Sequence, residues 1–251
     1  MDLFDYMREN QKDDDSPLAK RMRPENLDEV IGQEHIIGKN KLLYRAIKAD
    51  KLGSLIFYGP PGTGKTTLAM VIAHTTKADF KQINATTSGK KDMEQIIEEA
   101  KNTKAMYGRR TILFIDEIHM IVGAGAVSHG EKQDLSNALK PILAGDDAIV
   151  IGATTDEEYA QTFGMEGALR RRFKTITVRE PRTTEVYDML KESIRQLEEF
   201  HGVRISKKMV EMIIFYSSCF NYNTSNPDRT KDLIDVSMVC LLYTSPSPRD
   251  A

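Results

Sequence analysis

No stretch of this 251-residue sequence is apolar for long enough to cross a bilayer. The longest apolar runs, such as Ile112-Leu113-Phe114-Ile115, fall far short of the ~20 residues a spanning helix needs. Cysteine is scarce: Cys219 and Cys240 are too few for a disulfide framework and lack zinc-ligand spacing. The five histidines are scattered, again without ligand spacing. The opening MDLFDYMREN carries acids where a secretory signal would carry a basic region followed by an apolar one. A charge excess is lacking too, since 35 basic residues face 37 acidic ones for a net charge of −2. So balanced a chain is no general polyanion binder, although it leaves room for a local basic site. With 40% hydrophobic residues, the length suits one large or two small domains with a real core. The expectation is a cytoplasmic protein with no membrane partner and no metal scaffold.

The organisation along the chain follows from its periodicities. Residues 1–16 are polar, include the run Asp13-Asp14-Asp15, and read as a loose N-terminal arm. From Pro17 to residue 180 short apolar strands alternate with helices. The strands are expected at Leu55–Tyr58, Phe80–Asn84, Thr111–Ile115, Ala148–Ile151 and Thr175–Val178. Helices are expected at Thr66–Ala73 and at Lys91–Lys101, the latter with Met93, Ile96 and Ile97 inward. Such alternation indicates an α/β domain with a largely parallel sheet. After Pro181 the period becomes helical. Val186, Met189, Leu190, Ile194 and Leu197 mark one helix that ends at His201-Gly202, and Lys207–Ser218 and Thr230–Val239 give two more. Residues 181–239 thus read as a small helical lid. No internal repeat is present.

Gly59-Pro60-Pro61-Gly62-Thr63-Gly64-Lys65-Thr66 satisfies G-x-x-x-x-G-K-[ST] and lies between a strand and a helix, the context that motif requires. The glycines let backbone N–H groups converge on phosphate oxygens, and the following helix, with Thr66 and Thr67 in its first turn, aims its positive dipole end at the same anion. Lys65 is expected to reach the β- and γ-phosphates of ATP, and the Thr66 hydroxyl to ligate Mg²⁺. Fifty-one residues after Lys65, an apolar strand ends in Asp116-Glu117. Ligands bind at such C-terminal strand ends in open α/β sheets. Asp116 is expected in the Mg²⁺ shell and Glu117 as the general base that polarises the attacking water.

With these motifs the chain resembles the AAA+ ATPases. The resemblance implies a sheet of order 5-1-4-3-2, a helical lid and a ring of subunits with nucleotide at each boundary. It implies that Thr155, in Ile151-Gly-Ala-Thr154-Thr155, positions the water. In Leu169-Arg170-Arg171-Arg172-Phe173 it makes Arg171 and Arg172 the arginines that complete a neighbour's site, whereas the residues alone would favour a solvated basic turn. Asp28-Glu29-Val30-Ile31-Gly32-Gln33 resembles the adenine-pocket segment, which puts Val30 and Ile31 against the base.

Two finer resemblances divide the chain. Residues 1–119 look like the replication-associated recombination ATPases, on MDLFDYMRE, Pro17-Leu-Ala-Lys-Arg-Met-Arg-Pro24, the phosphate loop, and Ile83-Asn-Ala-Thr-Thr-Ser-Gly-Lys-Lys-Asp-Met93. Residues 120–239 look like the first ATPase domain of Clp-type unfoldases, on Ile121-Val-Gly-Ala-Gly125, Leu139-Lys-Pro-Ile-Leu143, Ile151-Gly-Ala-Thr-Thr-Asp156, His201-Gly-Val203 and Pro227-Asp228 with Asp232-Leu-Ile-Asp235. The first implies DNA partners, either single-strand ends or stalled forks. The second implies a polypeptide substrate with a protease or chaperone partner, yet Ser88-Gly-Lys-Lys91 stands where such a domain carries an aromatic pore loop. Both families share the string Ile112-Leu-Phe-Ile-Asp-Glu-Ile-His119, where a composite chain would be joined, and a composite implies a third reading: nucleotide binding without turnover. Residues 240–250, CLLYTSPSPRD, resemble one reading frame of a sequencing-library adapter, although composition alone would fit a Ser/Pro-rich tail. On the adapter reading residues 240–251 are not native and the lid is truncated.

Overall fold

The computed structural model describes residue 24 and residues 26–122, 139–145, 147–162, 171–219 and 224–244. The N-terminal arm, the segment Pro17–Arg23, Gly123–Gly125, Leu169, Arg170 and residues 245–251 lie outside the described residues.

Five strands, β1 (Leu55–Tyr58), β2 (Asp79–Asn84), β3 (Thr111–Asp116), β4 (Ala148–Thr154) and β5 (Lys174–Thr177), form one sheet in the order β2-β3-β4-β1-β5. Every pairing is parallel. This is the expected 5-1-4-3-2 order read from the other edge. Strands buried on both faces need apolar residues at every position rather than at alternate ones. The sequence supplies them: Ile112 to Ile115 of β3 and all seven residues of β4 are buried. Alternate residues then serve opposite faces. Ile112, Phe114, Ile149 and Ile151 pack with Leu68, Val71 and Ile72 of the helix after β1, whereas Leu113, Ile115 and Val150 pack with Met93 and Ile118.

Before the sheet lie a 3-10 turn at Leu27–Glu29 and two short helices, α1 (Glu34–Ile37) and α2 (Leu42–Lys48). Helices α3 (Lys65–Thr75), α4 (Lys90–Tyr107), α5 (His119–Val122) and α6 (Asp156–Thr162) connect the strands, with a further helical stretch at residues 139–144. The lid contains α7 (Thr183–His201), α8 (Lys207–Cys219) and α9 (Asp228–Thr244). Val186, Leu190, Ile194 and Leu197 form one stripe of α7 and pack on Val210 and Ile214 of α8 and on Ile234 and Met238 of α9. Met189, read from the same periodicity, is not in that core. Among the described residues no helix is long and apolar enough to cross a membrane.

Among the described residues, polar contacts around 225–229 seat the lid on the core. The Ser225 amide donates to the Pro61 carbonyl at 3.0 Å, and the Asn226 amide donates to Glu180 Oε1 at 2.9 Å. Arg229 closes the contact with an ion pair to the same Glu180 oxygen at 3.0 Å. On the core side, the Gln33 side chain donates to the Arg179 carbonyl at 2.6 Å and accepts from the Arg179 amide at 3.3 Å. The segment before α1 is thereby pinned to the chain that leads into the lid.

Candidate active site

Strands β3, β4 and β1 are neighbours and parallel, so their C-terminal ends emerge side by side. That arrangement brings Asp116-Glu117, Thr154-Thr155 and the phosphate loop to one edge of the sheet. A cavity of about 620 Å³ opens there, within the ~300–1,000 Å³ range usual for small-molecule sites.

Of the residues expected to hold nucleotide, Pro61, Gly62, Thr63, Gly64, Lys65, Thr66 and Thr67 line this cavity, as do Val30 and Ile31. Gly59 and Pro60 are not among its lining residues. Their carbonyls accept hydrogen bonds from Lys65 Nζ at 2.8 Å each, so the lysine folds back along its own loop. Gly59 has to be glycine because a Cβ there would collide with the Val178 carbonyl. At Gly62, where φ is +80°, a Cβ would sit 2.9 Å from the Ser225 carbonyl oxygen and 3.1 Å from Asp228 Cβ. The loop can therefore lie against the lid only without a side chain at that point. A Cβ on Gly64 would meet nothing within 4 Å, so the space before the first turn of α3 is open.

The carboxylates face Lys65 across this space. Asp116, Glu117, Thr154 and Thr155 line the same cavity. Thr66 and Asp116 offer a hydroxyl and a carboxylate, hard oxygen donors of the kind Mg²⁺ selects, to the same cavity. Burial holds Lys65 below the usual lysine pKa, while Asp116, Asp156, Glu117 and Glu158 pull it back up. Glu117 moves the other way. Burial raises its pKa, the nearby Glu158 and Asp116 carboxylates add to the rise, and His119 and Lys65 oppose it. Its backbone is left-handed, with φ of 55°, and its amide donates to Asp116 Oδ1 at 3.2 Å.

Thr155 lines the cavity and also caps α6. Its amide donates to Glu158 Oε2 at 3.1 Å, and its hydroxyl accepts from the Glu158 amide at 3.4 Å. That reciprocal pair is a capping box, and Thr155-x-x-Glu158 could have been read as one from the sequence. Arg171 and Arg172 are exposed in the turn before β5 and do not line the cavity of their own chain. Arg172 Nη1 donates to the Lys140 carbonyl at 3.4 Å.

Sequence reasoning missed the lid's share of the site. Met189, Ser193, Asp228, Lys231 and Asp232 all line the cavity. Met189 follows the helical periodicity of a core residue but belongs to the cavity wall. In the sequence, Asp228 and Asp232 stand out only through a family resemblance. Also missed was the cluster of His119, Glu117 and Glu158, whose ligand-type atoms all lie within 4.8 Å of one another. His119 and Glu158 are 39 residues apart, beyond any local spacing rule.

Residues 55–180 match the ATPase family associated with various cellular activities (AAA), and residues 182–248 match an AAA lid domain. Replication-associated recombination protein A of Escherichia coli (strain K12) is 40% identical over 186 residues, 74% of this chain and 38% of that protein. Chaperone protein ClpB of Malacoplasma penetrans is 29% identical over 272 aligned residues, 97% of this chain and 37% of that protein. The chain thus spans under two-fifths of either relative. The first alignment is too long to be confined to residues 1–119, and the second covers nearly the whole chain. Among solved structures, the Thermotoga maritima RuvB Holliday junction branch migration motor superposes with a TM-score of 0.60 at 26% identity, covering 88% of this chain and 67% of that one. Closed-state Hsp104 with ATPγS and FITC casein gives 0.66 at 29% identity, over 86% of this chain and 38% of that one.

Proposed function

Because the chain belongs to the AAA family of ATPases, we propose that it binds ATP with Mg²⁺ beneath its lid and hydrolyses it to ADP and phosphate within a ring of like subunits. One observation carries the reading: a phosphate loop, a metal-type carboxylate, a base-type carboxylate and a polar strand end converge on one cavity from adjacent parallel strands. Lys65 and the backbone N–H groups of residues 62–66 bind the phosphates, and Val30 and Ile31 take the base. Thr66 and Asp116 hold Mg²⁺, which when bound neutralises charge on the β- and γ-phosphates. Glu117 accepts a proton from the attacking water, and Thr155 orients that water. Arg171 and Arg172 serve the site of the next subunit.

In the cell, which we take to be the cytoplasm, we infer a role on DNA, in remodelling single-strand ends or stalled forks. The 40% identity to replication-associated recombination protein A supports this, as does the likeness to a Holliday junction branch migration motor. The test is ATP turnover with and without forked or gapped duplex and single-strand ends. Stimulation supports the role, and identical rates with every DNA end it. A second reading, protein unfolding with a chaperone or protease partner, draws on ClpB and Hsp104. The connection from β2 to α4 has no aromatic residue between Ala85 and Lys90 with which to grip a polypeptide, and unfolding of a tagged substrate decides it. Binding without turnover, the behaviour of a composite chain, would appear in the same assay as affinity for ATP with no phosphate released.

A further inference from the structure

We propose that His119 is a positioning residue for hydrolysis: through Nδ1 it ties the carboxylate of Glu117 to that of Glu158, and so fixes where the water-polarising oxygen sits. The proposal rests on the reading of Glu117 as the base.

His119 Nδ1 lies 3.3 Å from Glu117 Oε2 and 3.2 Å from Glu158 Oε2. The Thr154 hydroxyl stands 3.2 Å from the same nitrogen. Glu158 is the fixed end of this tether. Besides standing against His119 Nδ1, it accepts from the Thr154 hydroxyl at 3.1 Å and from the Thr155 amide at 3.1 Å. Its helix α6 is braced in turn, since the Tyr159 ring stacks on Tyr58, with centroids 4.2 Å apart and planes 11° from parallel. Tyr58 is the last residue of β1, directly before the phosphate loop. The tether is therefore anchored on the strand ends that carry the rest of the site.

Layering separates this role from a catalytic one. Glu117 lines the cavity, but His119 and Glu158 do not. The His119 side chain is 14% exposed against 38% for Glu117, which places the imidazole behind the wall. The tether engages one oxygen of Glu117, Oε2, and leaves the other for a water. It also offsets a repulsion. Two carboxylates this close push each other apart, and His119 Nδ1, 3.2–3.3 Å from both, stands where an N–H would offset that repulsion. Removing that donor leaves Glu158 repelling Glu117 from its place, and a misplacement of about 1 Å at a reacting group can lower a rate on the order of 100-fold. The charges around Glu117 agree with this picture, since Glu158 works against its ionisation and His119 favours it.

The experiment is steady-state ATP hydrolysis with parallel ATP-binding titrations on the 251-residue chain and three variants. His119→Leu is expected to lower kcat roughly ten- to hundred-fold while KM and ATP affinity stay at the parent's values. His119→Asn, whose side-chain amide can present an N–H close to where Nδ1 stands, is expected to recover most of that loss. Glu158→Gln removes the repulsion but also weakens the anchor on His119, and should lower kcat by less than His119→Leu does. A His119→Leu chain that turns over at the parent rate overturns the proposal, and so does an equal loss in His119→Asn, which would mean shape rather than the donor. If His119→Leu no longer binds ATP, Glu158→Gln carries the decision, and an unchanged kcat there overturns it. Glu117→Gln keeps the two readings apart. Continued hydrolysis by that variant fails the assignment of the base, whereas arrest there beside an unaffected His119→Leu fails the tether alone.

Discussion

The amide of Ser225, in the lid, donates a 3.0 Å hydrogen bond to the carbonyl of Pro61, in the phosphate loop. The loop and the lid therefore share a boundary that a ligand in the cavity has to respect, and the next residue of the loop, Gly62, has no room for a side chain on the lid side. Gly62→Ala adds a Cβ 2.9 Å from the Ser225 carbonyl oxygen at a φ of +80°. The backbone strain alone is worth about 1–2 kcal/mol, and either the loop or the lid has to give. A lower melting temperature and weaker ATP binding are expected together. Melting curves with and without ATP check this, and a Gly62→Ala chain matching the parent in both would mean that the contact does not matter.

The two hydrogen bonds from Lys65 to Gly59 and Pro60 hold the amine beside the loop it serves. Lys65→Ala is expected to reduce ATP affinity about 100-fold or more, as befits loss of charge-assisted contacts of about 1.5–3 kcal/mol each. The fold should remain, because the core beneath α3 is built from Leu68, Ala69, Val71 and Ile72. An ATP titration followed by circular dichroism separates the two effects.

Most of the fold was legible in the sequence because a parallel sheet writes itself as short, continuous apolar runs. Each of the five expected strands is present, with its ends moved by a few residues at most. The phosphate loop was equally plain, since its constraints are local: glycines, one lysine and one hydroxyl in eight consecutive residues. What stayed hidden depends on the third dimension. Gly152 sits in the middle of β4 without any turn to explain it, and its reason is Ile118, whose side chain occupies the space a Cβ would need. Met189 obeys the helical period but faces the cavity, because α7 presents one edge to the lid core and the next to the core domain. The Glu117–His119–Glu158 cluster depends on β3 and β4 being neighbours, which no spacing along the chain reveals.

Glu117→Gln should bind ATP and fail to hydrolyse it, because an amide cannot accept the water's proton. The pH dependence follows from the raised pKa of Glu117. A base works only when ionised, so the acid limb of kcat in the parent should lie above the ordinary Glu range of about 4.3–4.5. Stability carries the same sign. A carboxylate whose folded-state pKa is raised favours the folded state when protonated, and that contribution is lost as pH rises through the folded value. The glutamine variant is free of this penalty. It should melt above the parent at pH 8, with the difference closing as pH falls below the ordinary carboxylate range. Melting curves at pH 8 and pH 4 test the sign, and a variant that melts below the parent at pH 8 would contradict it.

Arg171 and Arg172 do not line their own chain's cavity, which makes their contribution testable by mixing. If they complete a neighbour's site, replacing both with Ala lowers kcat by roughly 10³-fold or more and leaves ATP affinity in place. A Lys65→Ala subunit has an empty pocket but intact arginines, and the double arginine variant has the reverse. Neither hydrolyses ATP alone. Combined in one ring, each Lys65→Ala subunit places its arginines against the filled site of an arginine-deficient neighbour, so turnover should reappear at the interfaces where the two alternate. The recovered rate should follow the mixing ratio, peak near equal amounts and fall on dilution as the ring dissociates. A mixture as inactive as its components at every ratio would confine the two arginines to their own chain, where the exposed turn before β5 leaves them only a surface role.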